Sequence, residues 1–225
     1  MDTVNVFGDP IVGRLGPLPV TQATLTALAV SALVVLAAAV LRRAVLRRPG
    51  SLLATVADFA VQFPEQIVTD IVGRHVPWLS VIAGSLFYFL AACSVAGQLP
   101  QVRTPTSNLG ITSALAVLVF LAVPVAGIRA RGLWGYLRHY VSPSPLMLPL
   151  ELMSEISRTF ALSVRLFGNM LSGYLIVALL VALVGVFIPT PLMALDLLIG
   201  LLQAYIFTIL SVVYIGAALR VQEKS

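Results

Sequence analysis

Arg165 stands in the apolar run Phe160-Ala161-Leu162-Ser163-Val164-Arg165-Leu166-Phe167-Gly168-Asn169-Met170, with no acid within two turns on its C-terminal side. A guanidinium deep in a membrane helix costs roughly 2.5–3.5 kcal/mol on insertion scales, and it is too weak an acid to escape that cost by deprotonating. It needs a partner or a water-filled cavity, and its chemistry is the electrostatic handling of an ion. A salt bridge to Glu151 or Glu155 is the plain structural alternative. Arg158 is nearer to both acids and takes that role better through the i,i+3 pair Glu155–Arg158.

Positions 151, 158 and 165 are seven apart, so on a continuous helix Glu151, Arg158 and Arg165 share nearly one face, with Ser154 beside them. That polar stripe leads from one membrane surface toward Arg165. An interfacial helix whose polar side faces water is the plainer explanation, and it suits Glu155 and Arg158 well. Asp196 and Gln203 are again seven apart, and Phe207 and Tyr214 continue a related face. Asp196 lies about a turn and a half beyond Pro191, where a carboxylate either serves an ion path or simply meets water. Gln203 is deeper, and a lone glutamine there is either a path residue or a hydrogen bond between helices.

Helices must carry these groups through a bilayer. Apolar residues make up 59% of the 225 and charged residues 10%, which excludes an ordinary soluble domain. The net charge of +5 comes from basic residues set singly or in pairs beside hydrophobic runs, so they read as topology signals and not as a nucleic-acid surface. The single cysteine, Cys93, lies in an apolar run as a packing residue. No disulfide and no cysteine metal site can be built within one chain, and no cofactor is expected.

A hydrocarbon layer about 30 Å thick takes about 20 apolar helical residues, and 21–41, 78–99 and 109–128 each meet that requirement. The first is too long for a signal peptide and carries its arginines after it, so it is expected to stay in the mature chain. Between the first two spans, 51–73 reads as a cytoplasmic surface helix. Leu52, Val56, Phe59, Ala60 and Phe63 fall on one face and Asp58 and Gln62 on another, up to a break at Pro64. A loop packed against partner subunits is the alternative. Residues 142–188 form a second apolar region, with a separate short helix expected at the interface around Pro145–Ser157 before a long inclined one. Ile188-Pro189-Thr190-Pro191 marks a turn. The segment 192–219 would measure roughly 42 Å as one helix at about 1.5 Å per residue, so it must tilt strongly or emerge from the membrane.

The expected architecture is an all-α membrane protein, one polytopic domain over 1–225. It has three conventional transmembrane helices, an interfacial helix, and a C-terminal pair of long, strongly inclined intramembrane helices. Arg42, Arg43, Arg47, Arg48 and Arg74 fall between the first two spans, Arg129, Arg131 and Arg138 after the third, and Arg220 and Lys224 at the end. Only Arg14 and Arg103 are left for the outer side, so the positive-inside rule places the N-terminal segment 1–20 outside and the C-terminus in the cytoplasm.

The run Arg165-Leu166-Phe167-Gly168-Asn169-Met170, preceded by Glu151 and Ser163 and followed by Leu202-Gln203-Ala204-Tyr205-Ile206-Phe207 and Tyr214, closely resembles subunit a of F-type ATP synthases. Weaker agreement extends through Gly97-Gln98-Leu99-Pro100 and Thr106-Ser107-Asn108. The resemblance implies a stator subunit in a bacterial inner membrane, partnered by a ring of c subunits, a b-type peripheral stalk and the other ATP synthase subunits. It implies that Arg165 faces the ring carboxylates, that Glu151 and Ser154 belong to the cytoplasmic half-channel, that Asn169 and Gln203 are polar neighbours of the arginine, and that Tyr174 and Asp196 line the outer half-channel. The transported ion is H⁺ or Na⁺.

A permanently charged guanidinium attracts a ring carboxylate that has lost its ion, and it cannot pass a proton across. This sequence lacks the ionisable residue common where Tyr174 stands, and acids often found near Gly97 and Thr106 are missing, so Asp196 is the sole acid of the outer path. A straight hairpin counted back from the proline turn would level Arg165 with residues beyond Gln203. An offset, or an early helix end near Gly185, is therefore required. A stand-alone ion-coupled carrier using Arg165 as an anion site is the competing function, and it usually carries inverted repeats, which are not seen. A purely structural anchor leaves Arg165 and Asp196 unexplained.

Overall fold

The computed structural model describes residues 11–15, 18–47, 50–99, 104–141, 147–185 and 190–220. A small antiparallel hairpin, β1 (Ile11–Leu15) with β2 (Leu18–Thr21), precedes a helical body. The helices are α1 (Gln22–Arg47), α2 (Leu52–Val72), α3 (Pro77–Ala96), α4 (Leu109–Val141), α5 (Met147–Val184) and α6 (Thr190–Arg220), with a 3-10 turn at Pro105–Ser107. Among the described residues five stretches are long and apolar enough to cross a membrane: Gln22–Arg47, Pro77–Ala96, Leu109–Arg129, Met153–Leu183 and Thr190–Leu219.

Helix α2 corrects one expectation, because it runs unbroken through Pro64. A proline inside a helix has no N–H to give the carbonyl four residues back, which here belongs to Ala60. The Tyr88 hydroxyl of α3 donates to that carbonyl at 2.8 Å and replaces the missing bond. Pro64 itself packs on Gly84, where an added Cβ would lie 3.0 Å from the Pro64 ring. Ser51 Oγ accepts from Ala54 N at 3.2 Å to start the helix, and Gly73 at φ 80° ends it. Ala57, Ile67, Val68 and Val72 turn inward, while Leu52, Val56 and Phe59 stay exposed.

A second correction concerns the run after Tyr140. From Met147 to Val184 there is one helix of 38 residues, with no separate short helix before it among the described residues; 145 and 146 lie outside them. No glycine or internal proline follows Pro149 until Gly168, so nothing interrupts the hydrogen-bond ladder at Ser157. α4 likewise runs past 128, bending at Gly132, whose φ of 74° only glycine adopts freely.

Two apolar clusters join these helices. Val68 and Val72 of α2, Leu79 and Ala83 of α3, Ala126 of α4 and Val212, Ile215 and Leu219 of α6 form one. Leu86 and Leu90 of α3, Ala116 and Val119 of α4, Leu162 and Leu166 of α5 and Ala204 and Phe207 of α6 form the other. α3, α4 and α6 contribute to both clusters and form the spine, with α5 packed along one part of it. α1 buries only Ala23 and Val30.

Candidate functional site

The register of α5 against α6 fixes the depth of every polar group they carry. Gly173 of α5 lies directly against Asp196 of α6, so that a Cβ at 173 would collide with the carboxylate. Met170 Cε comes within 3.3 Å of the Cβ position of Gly200, and Leu162 and Leu166 share a cluster with Ala204 and Phe207. Farther along, the Arg158 guanidinium lies 4.6 Å from the centroid of the Tyr214 ring. This antiparallel register levels Arg165 with Ala204–Phe207, the turn that follows Gln203. The offset that the sequence demanded comes from the early end of α5 at Val184, where Gly185 takes φ 82° and its N–H donates to Val181 O at 3.1 Å.

Arg165 is exposed, on a stripe of α5 with Gly168, Ser172 and Ile176, and an added Cβ at Gly168 would meet nothing within 4 Å. Leu198, Leu202 and Ile206 of α6 are also exposed. Between Ala161 and Leu183 Arg165 is the sole charged residue of the sequence, and among the described residues it has no ion-pair partner. Gln203 is buried and among the described residues its Nε2 has no hydrogen-bond partner, an arrangement costly enough to mark it for a role. Asn169 is half-buried and Ser154 exposed. Glu151 and Tyr174 lie on the backbone of α5, with side chains outside those described.

Glu155 and Arg158 line one small cavity together with Tyr214. The stacking of Arg158 on Tyr214 joins α5 to α6 at about 0.5–1 kcal/mol for an exposed cation–π contact. Neither the i,i+3 spacing nor the helical face pointed to that tyrosine.

Asp196 has a more elaborate setting. Gln98, just beyond α3, donates from Nε2 to Asp196 Oδ2 at 3.2 Å. Both line a cavity of about 40 Å³ with Ser94, Thr104, Met170 and Gly173. A space of that size exceeds the ~10–15 Å³ that one water requires, and its polar lining offers the water partners. The sequence reading missed Gln98 and Thr104 as neighbours of Asp196, since no periodicity links residues 98 positions apart. The motif Gly97-Gln98-Leu99-Pro100 was the available signal. Among the described residues no three His, Cys, Asp or Glu side chains converge as metal ligands.

Five described helices long and apolar enough to cross a membrane define a polytopic membrane protein, with an exposed arginine within about one turn of the level of a buried glutamine. The family described as ATP synthase A chain matches residues 23–216. ATP synthase subunit a 2 of Bradyrhizobium sp. (strain BTAi1) is 44% identical over 205 residues, covering 91% of this chain and 92% of its own. ATP synthase subunit a 2 of Pelobacter propionicus is 38% identical over 207 residues, covering 92% and 90%. ATP synthase subunit a of Albidiferax ferrireducens is 51% identical over 137 residues, covering 61% and 59%. The chain belongs to the ATP synthase A chain family, the ion-translocating membrane component of the enzyme and not a catalytic subunit.

Proposed function

We propose that α1 to α6 work as one polytopic domain, with α5 and α6 strongly inclined across the bilayer against a ring of c subunits. α2 lies at the cytoplasmic interface, the N-terminus is outside, the C-terminus is cytoplasmic, and a b-type peripheral stalk holds the subunit still. Two half-channels load and unload ring carboxylates. The outer one passes Tyr174 and Asp196, and the inner one passes Ser154 and Glu151, with the Glu155–Arg158 pair at its rim. Asn169 and Gln203 flank Arg165 between them.

What supports this reading is an exposed arginine with no ion-pair partner among the described residues, on an open stripe of α5 and within about one turn of the level of a buried glutamine amide that is unsatisfied among them. An arginine facing lipid alone would be expelled or would snorkel to the interface. A rotating carboxylate that has just released its ion supplies the missing counter-charge. Because the guanidinium stays protonated, it displaces the ion without carrying it, and the two half-channels cannot short-circuit through it. Gly168, one turn from Arg165, leaves α5 without a side chain where another helix would approach. Each elementary charge contributes roughly 2.3 kcal/mol per 100 mV, so several crossings must be summed per ATP, and a rotor does the summing. The same arrangement serves H⁺ or Na⁺.

Cysteine cross-linking tests the placement. Gly168→Cys is expected to form disulfides with cysteines on the outer helix of the ring, whereas Leu162→Cys, buried against α6, is expected to form none. Equal yields from both would show that the ring does not meet this stripe.

A further inference from the structure

Asp196 is held by a group from outside the two ion-path helices. Beyond the last turn of α3, Gly97 N–H donates to Cys93 O at 3.0 Å and Gln98 N–H to Val95 O at 3.1 Å, so Gln98 starts from a fixed backbone. Thr104 closes over Gly97 so tightly that a Cβ there would overlap its hydroxyl, which pins the returning chain. From that anchor Gln98 Nε2 reaches Asp196 Oδ2 at 3.2 Å. On the other side Gly173 leaves room for Oδ1, where a Cβ would collide. Three elements thus converge on one carboxylate, and no other ionisable side chain among the described residues lines the cavity. An uncharged donor orients the acid without cancelling its charge, which a lysine or arginine at 98 would do.

We propose that Gln98 is a positioning residue for ion passage: its amide holds Asp196 in the rotamer that faces the cavity between α3, α5 and α6. It thereby sets the external ion concentration at which the outer path half-saturates. This rests on reading Asp196 as part of that path. Losing the amide frees the carboxylate to rotate away from the cavity, so fewer ions are captured at low concentration. At saturating concentration the path fills regardless, and the maximal rate holds.

The test uses the intact ATP synthase in inverted membrane vesicles, with synthesis measured against lumenal Na⁺ at fixed pH and against lumenal pH at fixed Na⁺. Gln98→Met keeps the length of the side chain and removes the donor. It is expected to raise the half-saturating concentration of the driving ion about tenfold with little change in maximal rate, the fold-change for losing ~1.4 kcal/mol of a charge-assisted hydrogen bond. In an Asp196→Asn background the same substitution is expected to cause no further shift. An unshifted Gln98→Met overturns the proposal, as does an equal shift in both backgrounds, which would make Gln98 a packing residue only. Asp196→Asn at wild-type values would instead remove the path reading, and the proposal with it. Assembly is checked by the amount of chain in the purified complex. Should Gln98→Met assemble poorly, Gln98→Asn, one methylene too short to keep the contact, is expected to give the same shift, and its absence would overturn the proposal.

Discussion

Replacing Tyr88 by Phe removes one oxygen and leaves the Ala60 carbonyl facing a proline that has no N–H to offer. The hydroxyl donates to that carbonyl at 2.8 Å in a partly buried setting. An orphaned buried acceptor costs about 1–3 kcal/mol. Ala60 is half-buried on α2, the helix proposed to lie at the cytoplasmic interface, where water can partly replace the hydroxyl; this argues for the lower half of that range, about 1–2 kcal/mol. Pro64→Ala restores an N–H to the same carbonyl, so in that background Tyr88→Phe is expected to cost less than about 0.5 kcal/mol, a coupling of roughly 1–1.5 kcal/mol. Pro64→Ala alone carries its own modest cost, since the ring packs on Gly84. Cys93 is the single cysteine, and it is buried in α3 little more than a turn from Tyr88, so it reports opening of this region. Its labelling by a thiol reagent, read on the separated subunit, is expected to quicken roughly 5- to 30-fold in Tyr88→Phe, the rate equivalent of 1–2 kcal/mol. In the double variant it is expected to return near the Pro64→Ala rate. Equal acceleration in both backgrounds would refute the reasoning that Tyr88 replaces the proline's missing bond.

Asp196→Asn keeps size and hydrogen bonding but removes the charge proposed to draw cations into the outer path. Assembly is expected to survive while ATP synthesis slows, most severely at low external ion concentration; a wild-type rate throughout would reduce Asp196 to a solvated residue. Orientation is checked by cysteines at two exposed positions: Leu99→Cys is expected to be labelled from outside only and Arg74→Cys from the cytoplasm only. Reversed labelling would invert the topology.

The spans were legible because a bilayer imposes a length and a hydropathy that no other environment requires, and α1, α3 and the first part of α4 follow them closely. Arg165 stands out in the sequence for the same reason, since nothing in an apolar run explains an unneutralisable charge. Long-range partners were not legible. The proline at 64 signals a break to any reader of local pattern, and only Tyr88, arriving from the next helix, keeps α2 continuous. The i,i+3 spacing points to Glu155 as a partner for Arg158, and local pattern does not show that Arg158 also stacks on Tyr214 of another helix. The early end of α5 was deduced from a conflict of depth, a constraint that the sequence does contain once both helices are counted back from the same turn. Gln98 is not legible from local pattern, because its partner Asp196 arrives from α6 and its backbone is fixed where Thr104 packs against Gly97.

The central claim is that Arg165 forces ring carboxylates to release their ion and keeps the two half-channels apart. ATP-driven ion uptake and passive ion conductance, measured together in inverted vesicles carrying the assembled Arg165→Ala complex, test it most directly. Uptake is expected to vanish at every ion concentration while passive conductance rises above wild type, because neither the release of the ion nor the barrier between the paths survives without the guanidinium. Coupled uptake retained with no added leak would contradict the claim and place the essential charge elsewhere in the chain.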